Sequence, residues 1–305
     1  MRAMRIKLGT RSSPLALVQT ELVRRAILAV RPELANCIDI VNINTRGDQI
    51  RNCAIEVIGG RGVFTDELDD AVASGEVDLA VHSAKDLPVP ISPGLLLAAT
   101  LGREDPREAF VSTQYQSLAA VPKNAVLGSA SLRRETLVKV LRPDLSFSLL
   151  RGNVDERVLA LDERRLNGTI LAVAGLKRLG LERYIREVFT PQTLMPDPGQ
   201  GAIGIVCRSD NAVARAIASR VNHVLTYKAV IAERAFLEAA AGRFVVGALA
   251  CISNQVFTLS AVAATLDGTI VWHQSRQGCS SAPLALAQRL AACLPHSVAQ
   301  GRTAS

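Results

Sequence analysis

Aromatic residues and histidines are scarce in this chain. Aromatic residues make up 4% of its 305 residues, and there are 4 histidines. Surfaces that bind single-stranded nucleic acid stack bases on aromatic side chains placed among basic ones. The scarcity of aromatic residues therefore argues against nucleic acid as a partner. Because the few histidines form no cluster with metal-ligand spacing, we also expect no metal site.

Paired cysteines are absent too. The six cysteines are widely scattered along the sequence, and none belongs to a CxxC pair. This spacing indicates neither a zinc site nor a disulfide framework. We expect most of the six to be small, buried apolar residues.

Long apolar runs are also missing. No run reaches the ~18 residues that a membrane-spanning helix needs. The first residues, MRAMRIKLGTR, enter a polar turn after three or four strand-like positions and leave no room for the apolar region of a signal peptide. The sequence therefore predicts a cytoplasmic protein that has no membrane partner.

Basic residues are abundant, and most of them are arginine. The formal net charge is +7, and 29 of the 35 basic residues are arginine. A planar guanidinium suits bidentate binding of carboxylates or phosphates. A GC-rich genome would produce the same excess, so the positions of the arginines must decide between the two explanations.

The order of strand-like and helix-like segments predicts the architecture. A chain of 305 residues is expected to form two or three domains. Its first two thirds alternate strands and helices, as parallel or mixed α/β sheets do. The segment LGTRSS (8–13) recurs as LGSASL (127–132), and LAVHSAKDL (79–87) recurs as LAVAGLKRL (171–179). We therefore predict two similar α/β lobes facing a cleft, of the kind found in periplasmic binding proteins.

Breaker-rich segments and a change of pattern suggest the domain limits. We predict a first lobe from residues 1–102 together with 202–219, and a second from 103–198. From residue 222 onward, one helix (226–240), three strand-like runs (244–250, 256–263 and 269–274) and a final amphipathic helix (283–293) predict a small α+β domain over 222–305.

Three basic turns could bind anions. In the first, Ser13 and Pro14 form a strong helix start beside Arg11. The free N–H groups at a helix start attract anions. Solvated arginines beside ordinary caps are the alternative for each turn taken alone, but three such turns in duplicated lobes favour an anion site. The other two turns contain Ser131, Arg133 and Arg134, and Arg151 and Arg157.

A single acidic residue ends a strand among these basic turns. Lys85 and Asp86 follow the apolar run 79–83. An aspartate in such a place usually serves a turn or a cap. Beside several arginines, however, it stays ionised and could stabilise a developing cation. A glycine-bearing connection that contains Arg61 and Phe64 could be a lid over the cleft or an ordinary loop.

Ten segments, taken in their order along the chain, carry a resemblance to a known enzyme family. The segments are TRSSPLAL (10–17), TRGD (45–48), GGRGVF (59–64), AVHSAKDLP (80–88), REDPREAFVS (103–112), GSASLRR (128–134), LRGNVDER (150–157), ILAVAGLKRLG (170–180), GQGAIGI (199–205) and AERAF (232–236). They resemble the hydroxymethylbilane synthase (porphobilinogen deaminase) family, which joins four porphobilinogen molecules, with loss of ammonia, into a linear tetrapyrrole of haem biosynthesis. The resemblance implies a monomeric transferase that acts on porphobilinogen with a dipyrromethane cofactor.

The resemblance also implies roles for individual residues. Asp86 would be the catalytic acid, because loss of ammonia leaves a cationic azafulvene that needs a negative partner. The acetate and propionate arms of each pyrrole would explain the basic residues. Gln200 would lie at the cleft, and the carboxylates would be held by Arg11, Ser13, Lys85, Ser131, Arg133, Arg134, Arg151, Arg157 and Arg178.

The sequence departs from the family where the cofactor cysteine should stand. Family members attach dipyrromethane by a thioether to a cysteine in a loop of the form LEGGCQVP. Here the corresponding stretch is LEAAAGRFVV (237–246), and either Gly242 or Phe244 takes the place of the cysteine. Neither offers a nucleophile. Cys251 lies just beyond, in a predicted strand whose geometry argues against its reaching the cleft, so covalent attachment is doubtful.

Two alternatives to an active synthase remain open. The first is a catalytically impaired relative that binds porphobilinogen or linear pyrroles without joining them. The second is an unrelated bilobed protein that binds small anions.

Overall fold

The computed structural model describes residues 5–50, 60–240, 242, 244–253, 256–269 and 271–295. Their strands form two five-stranded sheets and one three-stranded sheet, and helices cover all three. The predicted fold class, two α/β lobes with mixed sheets and a small α+β unit, is confirmed. In the described part of the chain no helix is both long and apolar enough to span a bilayer.

The first lobe is built on a sheet of strand order β2-β1-β3-β10-β4. Strand β1 runs parallel to β2 and β3, whereas β10 runs antiparallel to β3 and β4. The strands are β1 (Ile6–Arg11), β2 (Ile38–Ile43), β3 (Leu79–Ser83), β4 (Leu95–Thr100) and β10 (Ile203–Arg208), and the helices of this lobe are α1 (Pro14–Val30), α2 (Arg46–Gln49), α3 (Asp66–Ala73) and α7 (Ala212–Val221).

The second lobe repeats this plan with the order β7-β6-β8-β5-β9. Strand β6 is parallel to β7 and β8, and β5 is antiparallel to β8 and β9. The recurring sequence segments fall on equivalent strands, β1 with β6 and β3 with β8. The elements are β5 (Glu108–Val111), β6 (Val126–Ser129), β7 (Ser146–Leu149), β8 (Gly168–Ala172) and β9 (Ile185–Val188), with α4 (Leu132–Leu141), α5 (Val154–Glu163) and α6 (Val173–Arg178).

The third unit packs two helices on an antiparallel sheet of order β11-β12-β13. Its core contains Phe236 from the first helix, Phe257 from the middle strand and Leu286 from the last helix. The elements are α8 (Val224–Ala240), β11 (Val245–Ser253), β12 (Val256–Ala264), β13 (Val271–Cys279) and α9 (Pro283–Ala291).

Helix starts face the cleft because each follows a strand directly. Ser13 precedes α1, and its hydroxyl oxygen accepts a hydrogen bond of 3.4 Å from the Ala16 backbone N–H. Ser131 caps α4 in the same way through the Arg134 backbone N–H, also at 3.4 Å. These caps fix the N-terminal ends of both helices at the carboxyl ends of β1 and β6, on opposite sides of the cleft.

Candidate active site

A cavity of about 400 Å³ lies between the two lobes. Its described lining comes from residues between Arg11 and Ala202, so no described residue of the third unit contributes to it. The side chain of Arg61 lies outside the described residues. The lining brings together every other predicted site residue, namely Arg11, Ser13, Phe64, Lys85, Asp86, Ser131, Arg133, Arg134, Arg151, Arg157, Arg178 and Gln200.

Asp86 stands at the end of a short helical turn that follows β3 directly. Its side chain is half-buried and lines the cavity. Within the described residues it accepts no hydrogen bond and forms no ion pair, although its charge acts on Lys85 and Arg157. This carboxylate is therefore available to a ligand in the cleft.

Lys85 and Gln200 form a polar contact beside Asp86. The Lys85 ammonium donates to Gln200 Oε1 at 3.2 Å, and the Gln200 amide donates to the Pro106 carbonyl at 2.8 Å. Burial lowers the pKa of Lys85, and the nearby Arg134 charge acts in the same direction. Gln200 is fully buried, so these contacts fix where the lysine nitrogen lies.

Arg133 and Arg134 share a buried carboxylate that sequence reasoning missed. Both guanidinium groups pair with Glu108, and the Arg134 Nη2–Glu108 Oε2 distance is 2.9 Å. Arg133 also donates to the Met195 carbonyl at 2.6 Å. Burial alone would raise the pKa of Glu108, but the charges of Arg134, Arg133 and Lys85 lower it to about 2. These two arginines line the cleft as part of an ion cluster.

Arg157 and Arg178 have no carboxylate within ion-pair distance among the described residues. Arg157 donates to the Gly152 carbonyl and Arg178 to the Gly201 carbonyl, each at 2.8 Å. Burial, followed by the charges of Arg134 and Arg151, lowers the pKa of Arg157 to about 10. Burial also lowers the pKa of Arg178. Both remain cations at neutral pH, and an anionic ligand would stabilise them.

Phe64 joins the two lobes at the edge of the cleft. The Arg11 guanidinium lies 4.4 Å from the centre of its ring, and the Arg151 guanidinium lies 5.7 Å from it. Arg151 also donates to the Gly47 carbonyl at 3.0 Å, across the cleft. Arg11 pairs with Asp48, with Nε 3.0 Å from Oδ2. The motif TRGD contained this acid, but nothing in the sequence identified its partner.

His82 is a second residue that sequence reasoning did not single out. Its side chain is almost fully buried in β3, and its Nε2 atom has no hydrogen-bond partner within the described ranges. Burial, with a smaller effect of the Arg11 charge, lowers the pKa of His82 to about 3. The imidazole is therefore neutral at physiological pH and cannot serve there as a protonated acid.

The link between α8 and β11 occupies the place of the missing cysteine. Gly242 has φ +74°, and no atom lies within 4 Å of where its Cβ would stand. Phe244 packs against the core of the third unit. Cys251 is exposed on β11, and desolvation raises its thiol pKa. The described cleft thus fits a ligand with carboxylate groups but offers no thiol, while Cys53 lies outside the described residues.

Two solved structures are similar to about three quarters of this chain. The methionine-binding protein MetQ is 14% identical, covers 76% of this chain and 93% of its own, and has a TM-score of 0.45. The R. palustris protein Rpa4515, solved with adipate, is 15% identical over 73% of this chain and 84% of its own, with a TM-score of 0.47.

Curated relatives cover nearly the whole chain. A porphobilinogen deaminase of Roseiflexus castenholzii is 43% identical over 289 residues, which is 94% of each chain. One of Chromobacterium violaceum is 41% identical over 276 residues, 90% of this chain and 89% of its own. The family model described as porphobilinogen deaminase, dipyromethane cofactor binding domain, matches residues 6–216. This chain therefore belongs to the porphobilinogen deaminase family.

Proposed function

We propose that the chain is a hydroxymethylbilane synthase, a transferase that joins porphobilinogen units with loss of ammonia. The observation that carries this proposal is a cleft in which one free carboxylate, Asp86, lies among desolvated cations. Arg157 and Arg178 supply positive charge without a carboxylate partner of their own within the described residues. A substrate with several carboxylate arms complements that arrangement.

In this proposal the Asp86 carboxylate stabilises the positive charge that develops at the reacting carbon of the substrate. Loss of ammonia from porphobilinogen leaves positive charge on the pyrrole, and a fixed carboxylate stabilises such charge strongly in a water-poor site. Lys85 and Gln200 position the turn that carries Asp86. The neutral His82 takes no part as an acid at neutral pH.

Dipyrromethane is the cofactor of the family to which the chain belongs. When bound, it supplies the pyrrole carbon to which substrate units are added. We propose that Arg11, Arg157 and Arg178 hold its carboxylates, because their guanidinium groups lie in the cleft. Ser13 and Ser131 add the N-terminal ends of α1 and α4 to the same surface.

A second candidate function follows from the cysteines. The described cleft lining contains none, which favours a catalytically impaired relative that binds porphobilinogen or linear pyrroles. Such a protein would retain the arginines and would release its ligand unchanged.

We also propose the organisation into domains and the cellular setting. The first domain comprises 1–102 with 202–219, the second 103–198 and the third 222–305. The pairing of β10 with β3 and β4 supports the return of the chain to the first lobe. A monomer acting in the cytoplasm completes the proposal.

Ammonia release tests the function directly. The purified chain is incubated with porphobilinogen, and we expect one ammonia for each porphobilinogen consumed. Asp86→Asn should abolish the release and leave binding nearly intact, whereas Asp210→Asn, an exposed acid outside the cleft, should change nothing. Binding of porphobilinogen without ammonia release would favour the second candidate. Absence of both would reject the proposed function.

A further inference from the structure

We propose that this chain holds its dipyrromethane by ion pairs and hydrogen bonds alone, without a covalent bond to the protein. The inference rests on the proposed function, since it concerns the same cleft. The way in which the cleft holds the growing pyrrole chain decides whether partly built chains can dissociate from the protein.

The cleft contains two cations that pair with no carboxylate among the described residues. Arg157 and Arg178 are half-buried, and each donates only to a backbone carbonyl among the contacts that the structure describes. Positive charge removed from water without a counter-charge is costly. The carboxylate arms of a dipyrromethane would remove that cost. The family-model match ends at residue 216, so it covers both lobes and every described lining residue.

Cys251 is the described cysteine nearest in sequence to the family's usual anchor. On β11 its side chain lies on the same face as Gly247 and Leu249, the face that packs on the second lobe near Met195. Cys251 lies two residues after Leu249 on this face, and its side chain is exposed. It is not part of the cavity lining.

A buried ion pair contacts both the end of β11 and the segment that begins at Gly199. The fully buried Glu233 carboxylate accepts a hydrogen bond from the Ala250 N–H at 2.7 Å and another from the Gly199 N–H at 2.6 Å. Arg103 pairs with the same carboxylate, with Nη2 3.0 Å from Oε2. The Cys251 thiol senses the charges of this Arg103 and Glu233 pair but is not part of the cavity lining, and desolvation raises its pKa, which makes it a poor nucleophile.

Intact mass spectrometry tests the inference on the whole chain. Protein purified at low salt should show bound pyrrole under native conditions. Under denaturing conditions it should show only the mass of the polypeptide. Dialysis against high salt should remove the pyrrole, because ion pairs that reach solvent are screened. An adduct of two pyrrole units that survives denaturation on any side chain, such as Cys251, Cys53 or Lys85, would overturn the inference.

Titration with a synthetic dipyrromethane bearing two acetate and two propionate arms provides the second readout. Protein stripped by dialysis should bind it reversibly, and Arg157→Met or Arg178→Met should weaken binding at least tenfold. Arg215→Met, an exposed arginine of α7, is the matched control and should leave binding unchanged. Equal affinity in all three variants would contradict retention by the cleft cations.

A loop replacement tests whether the missing cysteine alone prevents covalent attachment. Placing LEGGCQVP between Phe236 and Gly247 should create the covalent adduct, and LEGGSQVP in the same position should not. If neither protein gains an adduct while both bind dipyrromethane, the reversible mode holds for this cleft whatever the loop. An adduct on the serine version would overturn the inference. If the parent chain carries an adduct and releases ammonia, the proposed function stands and only this inference is rejected. If the parent chain binds neither porphobilinogen nor dipyrromethane, both the proposed function and this inference are rejected.

Discussion

At the scale of single residues, the described candidate residues lie around one cavity, whereas the partners of the arginines were missed. Sequence motifs identified which cations face the cleft, because they recur at equivalent strand ends. They did not identify Glu108 of β5, which pairs with Arg133 and Arg134 of α4. Pairings of this kind depend on the tertiary packing of β5 near α4, which a local sequence pattern does not predict.

Glu108 should make the stability of the protein depend on acid pH. The folded pKa of about 2 lies below the ordinary value of 4.5, so the unfolded chain binds the extra proton first as pH falls. The ionised Glu108 carboxylate contributes on the order of 3 kcal/mol to the free energy of unfolding. This stabilisation is fully present above about pH 4.5 and is lost as pH falls toward 2. Urea unfolding between pH 2.5 and 6 should show a shallower pH dependence in Glu108→Gln. An unchanged slope would reject this role.

Arg133→Ala should lower both stability and affinity. Because Glu108 keeps Arg134 as a partner, the loss of stability should be smaller than the about 3–5 kcal/mol that follows when a buried charge is left unpaired. Each lost charge-assisted ligand contact costs about 1.5–3 kcal/mol. Urea unfolding and titration of the folded variant with a pyrrole carboxylate measure the two effects separately. Arg133→Lys, which keeps the charge, should recover part of each. Affinity equal to the parent would limit Arg133 to a structural role.

At the scale of elements, the helix starts were the most predictable features. Ser13–Pro14 and Ser131 begin α1 and α4 as expected, because a hydroxyl cap is a local signal. The last strand was harder to predict. The expected run was 269–274, whereas β13 is Val271–Cys279. The exposed polar residues of β13 do not alternate with apolar ones, so the sequence pattern does not predict the whole strand. Pairing with β12 extends β13 to Cys279.

Ser131→Asp should separate capping from ligand binding. Aspartate caps helices as well as serine does, so stability should change by less than about 0.5 kcal/mol. The new negative charge faces the cleft and should repel a pyrrole carboxylate. Ser131→Ala should do the reverse, losing about 1 kcal/mol of stability with a smaller loss of affinity. Thermal unfolding and titration of both variants check this, and a parallel loss in both measurements would contradict it.

At the scale of the whole molecule, one carboxylate joins the third unit to the lobes. Glu233 of α8 holds Arg103, the Gly199 N–H and the Ala250 N–H together. The motifs REDPREAFVS, GQGAIGI and AERAF each contained part of this junction. Residues 130 positions apart meet in it, and no local pattern could have paired them.

Glu233→Ala should destabilise the whole protein and not the third unit alone. It leaves the largely buried Arg103 charge and two backbone N–H groups without their partner, at a cost of about 3–5 kcal/mol. Hydrogen exchange at β11 and at Gly199 should speed up together in this variant. Glu182→Ala, an acid outside both contacts, is the control. Faster exchange confined to β11 would show that the junction is not shared.

The ring of Phe64 has a consequence for the unliganded protein. Arg11 and Arg151 belong to opposite lobes and carry like charges, and the ion pair of Arg11 with Asp48 weakens the repulsion between them. An aromatic face attracts both cations, by about 0.5–1 kcal/mol each, and so offsets part of this repulsion before any anion arrives. Small-angle scattering of Phe64→Ala should give a larger radius of gyration without ligand and the parent value with it. Phe64 thus adds to the Arg151–Gly47 hydrogen bond in holding the two lobes together while the cleft is empty.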